Sequence, residues 1–135
     1  MAVAYRAKWL FDGRSADPLA DRAAIVDSNN RIAEIVAGSR VPSGVETIDL
    51  GDCTLLPGLI DAHVHLIWDG WQPNPEGLRI KEGVPKSTLR AARHARDTLL
   101  SGVTTVRDCG CPNGISLALR SAIKHGIVDG PRLVV

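Results

Sequence analysis

Polar and apolar residues alternate at the start of the chain. Tyr5, Ala7, Trp9 and Phe11 interleave with Arg6 and Lys8, the period of a half-buried strand. Asp12-Gly13 then supplies a turn dipeptide. Two further apolar runs, 23–26 and 31–36, flank Asp27-Ser28-Asn29-Asn30. Asparagine tolerates the left-handed backbone that a tight hairpin requires. Ile48 to Leu50, a Gly51-Asp52 turn and Cys53 to Leu56 continue the pattern. A small β-rich unit is predicted over residues 1–56, with little helical periodicity.

Pro57-Gly58 breaks this pattern, and the rhythm changes beyond it. Leu59-Ile60-Asp61-Ala62-His63-Val64-His65-Leu66 is mostly apolar, with polar residues at every second position. Such a run predicts a buried strand with one polar face. Residues 68–85 contain three prolines and several glycines and read as a long loop, a class of segment that is more often functional than decorative. Thr88 to Leu100 is predicted helical, with Leu89, Ala92, Ala95 and Leu99 inside and Arg90, Arg93, His94 and Asp97 outside. Gly102 stands where a C-terminal cap belongs. Val103 to Val106 is a β-branched strand, Ile115 to Lys124 a second amphipathic helix closed by Gly126, and Arg132 to Val135 another strand. Strand alternating with helix over residues 57–135 is the grammar of a parallel sheet, so the fold class is α/β.

Charge excludes some partners. Sixteen basic residues against fifteen acidic ones give a net +1, with no patch to hold nucleic acid or an anionic membrane surface. No segment approaches the roughly 20 apolar residues of a membrane span, and Arg6 and Lys8 interrupt any signal-peptide core. Three cysteines, Cys53, Cys109 and Cys111, form an odd, sparse set that suits a reducing cytoplasm better than a disulfide scaffold. A cytoplasmic protein is expected.

The candidate chemistry centres on His63 and His65. Positions i and i+2 of a strand project to one face, so two imidazoles are presented together, a donor pair suited to Zn, Fe, Mn or Ni. Asp61 falls on the same face and can accept a ring N–H from a ligand. An isolated His-x-His is also common as ordinary surface or core. Cys109-Gly110-Cys111 offers two thiolates for a His₂Cys₂ site, or else a turn with two small residues. Asp108 reads as a pocket residue or a turn cap, and Trp68 and Trp71 as pocket lining or rim packing. His94 and His125 read as structural, and Cys53 as a small buried residue.

The stretch Leu55 to Leu66, with its Pro57-Gly58 and His63-Val64-His65, resembles the signature opening of the amidohydrolase superfamily. Ile48-Asp49-Leu50-Gly51, Gly102 to Asp108 and Gly130-Pro131-Arg132-Leu133 resemble its lead-in and its next two strands, most nearly in the imidazolonepropionase-related branch that includes prolidase-like dipeptidases. The resemblance implies the N-terminal strands of a small β-sandwich (1–56) followed by the first three strands of a (β/α)₈ TIM barrel (57–135). It also implies one or two divalent metals, zinc foremost, with His63 and His65 as metal ligands. The activity implied is hydrolysis of amide, cyclic amide or dipeptide C–N bonds by a metal-activated water.

A complete barrel takes about 250 residues. By the same resemblance the later ligands and the proton-carrying aspartate have no counterpart here, so no catalytic residue is assigned. A catalytic zinc normally has three protein ligands. The expectation is therefore an N-terminal fragment, inactive alone, that needs its missing C-terminal part or a partner chain as in a split hydrolase. A non-catalytic remnant is the third reading, and a homo-oligomer is left open.

Overall fold

The computed structural model describes residues 1–135 and divides into two compact units, Met1–Pro57 and Gly58–Val135. The first is a mixed sheet. Its strands are β1 (Val3–Leu10), β2 (Leu19–Val26), β3 (Ile32–Ala37), β4 (Glu46–Asp49) and β5 (Thr54–Leu55), in the order β3-β2-β1-β4, with β5 also on β1. β1 pairs antiparallel with β2, and β2 with β3. β4 runs parallel along the first half of β1 and β5 along its end. The turns are made by short side chains, as expected. Asp27 Oδ1 accepts the amides of Asn29 and Arg31 at 2.8 and 3.0 Å, and Asn30 takes φ 57°.

The simple alternation predicted for β1 needs correction. Its buried residues are Ala4, Ala7 and Leu10, whereas Trp9 and Phe11 keep over a third of their surface exposed. β1 is paired on both edges, and apolar residues lie on both of its faces, beside the charged Arg6 and Lys8. One carries a thin core of Ala4, Ala23 and Ile25. An open apolar hollow of about 170 Å³ is lined by Tyr5, Phe11, Val26, Ile32, Ile35 and Leu55, among others. Cys53 is exposed rather than buried. It lies in the tight link between β4 and β5, where its carbonyl accepts from Trp9 N at 3.1 Å and its amide donates to Gly51 O at 2.9 Å.

The second unit is a three-stranded parallel sheet, β6 (Leu59–Val64), β7 (Val103–Asp108) and β8 (Arg132–Val134), in that order. Two helices connect the strands, α1 (Pro75–Leu100) and α2 (Ile115–Lys124). The second helix, β7 and β8 fall where the periodicity puts them. α1 does not. It starts ten residues earlier than the last proline of the expected loop, because Asn74 caps it by accepting from Gly77 N at 2.8 Å and Pro75 fits its first turn. Gly83, at φ 76° and ψ 174°, leaves the helical conformation, so α1 is two helical segments joined at a kink.

The inner face of α1 is also rotated from the expected one. Ser87, Ala91 and Ala95 are buried, while Leu89 is 73% exposed. Small residues at i, i+4 and i+8 let the helix lie close to the sheet. Arg90 turns inward because it pairs with Glu82 and Asp69. The core is built from Leu66, Ile67, Ala91, Ala95, Val106, Ile115, Leu119 and Leu133. Gly58 explains the break at Pro57-Gly58. A Cβ there would lie 2.1 Å from Thr104 Oγ1, so only glycine lets the chain enter β6 this close to β7.

Candidate metal centre

His63 is the penultimate residue of β6, and His65 follows its end. A register irregularity between Asp61 and Val64 interrupts the ladder with β7, yet the two rings come together. Their centres are 5.4 Å apart at an edge-to-face angle of 73°. Two imidazoles at this separation can reach one ion through bonds of about 2.0–2.1 Å. His63 is exposed and His65 half-buried. The donor chemistry and the spacing both fit a divalent cation.

The surroundings of the pair differ from the expectation in one respect. Asp61 Oδ1 accepts the main-chain amide of His63 at 3.0 Å, and the partner of the His65 ring is the carbonyl of Gly110, 3.0 Å from Nδ1. Sequence reasoning missed Gly110, whose contribution is a main-chain oxygen 45 residues away. Trp68 lies against the His65 ring, with ring centres 4.2 Å apart, and is packed on the core. Trp71 is 92% exposed.

Asp108 is buried at the end of β7. Its Oδ2 accepts from Ser116 Oγ at 2.8 Å and its Oδ1 from Gly110 N at 3.2 Å, so of its two expected roles the turn-forming one is realised. The two thiols do not join the histidines. Cys109 Sγ points to the main-chain oxygens of Ala62 and Arg107, both at 3.7 Å, and Cys111 Sγ to that of Pro112. No group of three or more His, Cys, Asp or Glu side chains is gathered to hold a metal, and the His₂Cys₂ arrangement is not formed. His94 Nδ1 meets Leu66 O at 2.8 Å, joining α1 to the segment that follows β6, and His125 Nδ1 meets Ser121 O at 2.8 Å within the last turn of α2.

An ionic cluster sits beside the loop that follows His65. Arg90 reaches Glu82 across the Gly83 kink and Asp69 in the loop, and Lys86 adds a contact to Glu82 at 3.1 Å. The hydrogen bond from Arg90, reinforced by Lys86, holds the Glu82 carboxyl below the ordinary range against the opposing effect of its burial. Glu82 raises the Arg90 guanidinium in turn. No helix is long and apolar enough to cross a membrane.

The sequence model of the amidohydrolase family matches residues 54–135, more than half of the chain. The chain belongs to the amidohydrolase family. Among amidohydrolase relatives, an imidazolonepropionase of Klebsiella pneumoniae is 35% identical over 99 residues, which cover 66% of this chain and 24% of that protein. A dihydroorotase of Trichlorobacter lovleyi is 35% identical over 120 residues, covering 87% of this chain and 24% of its own length. The chain thus spans about a quarter of the length of these curated relatives. A solved Xaa-Pro dipeptidase with methionine in its active site superposes with a TM-score of 0.83 at 30% identity, over 98% of this chain and 32% of that one. The mixed α/β architecture is that of amidohydrolase structures.

Proposed function

We propose that this chain is the metal-ligating opening of a metal-dependent hydrolase of C–N bonds, with His63 and His65 as two ligands of a divalent cation, zinc first. In this reading the first unit contributes strands of a small sandwich, and β6, β7 and β8 are the first three strands of a (β/α)₈ barrel. The pair of imidazole rings 5.4 Å apart at the C-terminal end of a parallel strand carries the proposal, since active sites of such barrels sit at that end.

When bound, a divalent ion supplies Lewis-acid polarisation and a water that ionises near pH 7, roughly. The chain's own contribution is to bind and orient. His65 offers one ring nitrogen while the other is held by Gly110, and His63 offers a second donor on a backbone pinned by Asp61. Two imidazoles fall short of the three protein ligands of a catalytic zinc, so the remaining donors come from a continuation of the chain or from a partner chain. The substrate class is a small amide, cyclic amide or dipeptide, a reading supported by the similarity to an imidazolonepropionase, a dihydroorotase and a Xaa-Pro dipeptidase. A reducing, cytoplasmic setting is part of the same reading.

The test is zinc or cobalt titration of the purified chain, followed by calorimetry. Weak binding, lost in both His63→Ala and His65→Ala, is expected, with no turnover of dipeptides or cyclic amides. Binding unchanged in either variant would remove the histidine pair from the metal site.

A further inference from the structure

His65 is held from several sides, and His63 is not. The Gly110 carbonyl lies 3.0 Å from His65 Nδ1. A carbonyl oxygen only accepts, so in the neutral ring Nδ1 carries the proton and Nε2 keeps the lone pair. The Gly110 peptide is itself held. Its amide donates to Asp108 Oδ1 at 3.2 Å, and Asp108, 7% exposed, takes Ser116 Oγ–H on its other oxygen at 2.8 Å. One residue earlier, Cys109 N donates to Val64 O at 3.0 Å, tying this turn to the end of the histidine strand. Trp68 also packs on the ring, its indole centre 4.2 Å from the imidazole centre at a 40° tilt. No hydrogen bond reaches either ring nitrogen of His63, whose only recorded bond is made by its main-chain amide.

We infer that Trp68 and the main-chain carbonyl of Gly110, itself set by Asp108 and Ser116, are positioning groups that fix His65 in one rotamer and one tautomer, Nδ1–H, and so present Nε2 to a divalent cation. This deepens the proposed function and rests on its metal reading. The indole acts as a wall against ring rotation and the carbonyl as a lock on the proton. Neither touches the ion. The Trp68 indole N–H is buried, makes no close hydrogen bond and contributes least among the groups that hold the Glu76 carboxyl low. Replacing Trp68 by phenylalanine therefore keeps the wall and gives up only that weak contact. Alanine removes the wall.

Long-range ¹H–¹⁵N correlation spectra of the histidine rings test this on the full 135-residue chain, recorded well above the ordinary imidazole pKa of about 6.5. The metal-free parent is expected to show His65 as a single Nδ1–H tautomer and His63 as an averaged mixture. Trp68→Phe should keep the His65 pattern and Trp68→Ala should average it. Added zinc should perturb His65 at Nε2, and Trp68→Ala should weaken zinc binding about 10–100-fold, the usual cost of losing a group that orients a ligand. An Nε2–H or averaged His65 in the metal-free parent overturns the inference, whatever the variants do. So does an Nδ1–H tautomer that survives intact in Trp68→Ala, which would leave Trp68 no part in it. A fixed Nδ1–H tautomer that zinc does not perturb supports the positioning groups and overturns the metal reading beneath them.

Discussion

The two sheets of this chain are organised by opposite means. The first is founded on two antiparallel hairpins, β1–β2 and β2–β3, whose turns carry Asp12, Asp27 and Asn30. With β4 and β5 added parallel to β1, its core is a thin layer of Ala4, Ala23 and Ile25. The second joins its strands through helices and owes its cohesion to a larger cluster around Val106, Leu119 and Leu133. Turn chemistry specifies register cheaply but buries little, whereas a parallel sheet has no hairpins and depends on what packs against it. The histidine pair sits on the second kind of sheet, yet on its outermost strand. β6 is exposed at every position from Leu59 to His63, while Val106 of β7 is fully buried.

Truncating one apolar side chain in each sheet gives the largest contrast. Leu119→Ala, in the filled core of the second unit, should cost about 2–5 kcal/mol in chemical denaturation. Ile32→Ala, 63% exposed at the hollow of the first, should stay within about 0.5 kcal/mol. Comparable losses would break the comparison, and would mean that the hollow is covered in solution by another copy or another chain.

Next comes the entry into the second sheet. Gly58→Ala drives a methyl group into Thr104, and overpacking of this kind should cost about 1–3 kcal/mol. Gly70→Ala, with nothing within 4 Å of the added carbon, is the neutral control. A Gly58→Ala protein as stable as its parent would show that β6 and β7 do not approach so closely.

The smallest effect is electrostatic. The Arg90 hydrogen bond holds Glu82 low, so its contribution is whole above the unfolded carboxyl value of about 4.3 and is lost as pH falls through the lower folded value. Denaturation midpoints followed below that pH should fall less steeply in Glu82→Gln than in the parent. Identical slopes would mean the cluster is open in solution. In the first unit Asp12 is also held low, but by the backbone amides of Ser15 and Arg14, a local turn bond that ties down no second element.

What could be read from the sequence follows the same division. The Asp27–Asn30 hairpin, the extent of α2 and the closing glycines at 102 and 126 all depend on neighbours in sequence, and all are found. The first turns of α1 were obscured because Pro75 and Gly83 look like breakers. In place they serve as an N-terminal residue and a kink. The inward face of α1 is not legible in the periodicity, because the Arg90–Glu82–Asp69 cluster and close packing at Ala91 are tertiary facts. The histidine pair was visible through its i, i+2 spacing. Its supporting oxygen at Gly110 was not, since a main-chain carbonyl reached across 45 residues leaves no mark in a pattern of side chains.

The pinning of the His63 amide by Asp61 has a kinetic side. β6 has a neighbouring strand on one edge only. On its bare edge, backbone protons exchange with solvent as soon as the strand breathes, without waiting for the unit to unfold. At His63 the nearby acceptor is a side chain of the same strand, so its amide proton leaves on the timescale of one carboxylate swinging away. The backbone beneath one histidine is thus guarded by a local latch, while the strand beside it, hydrogen-bonded on both edges, is among the last places in the sheet where deuterium enters.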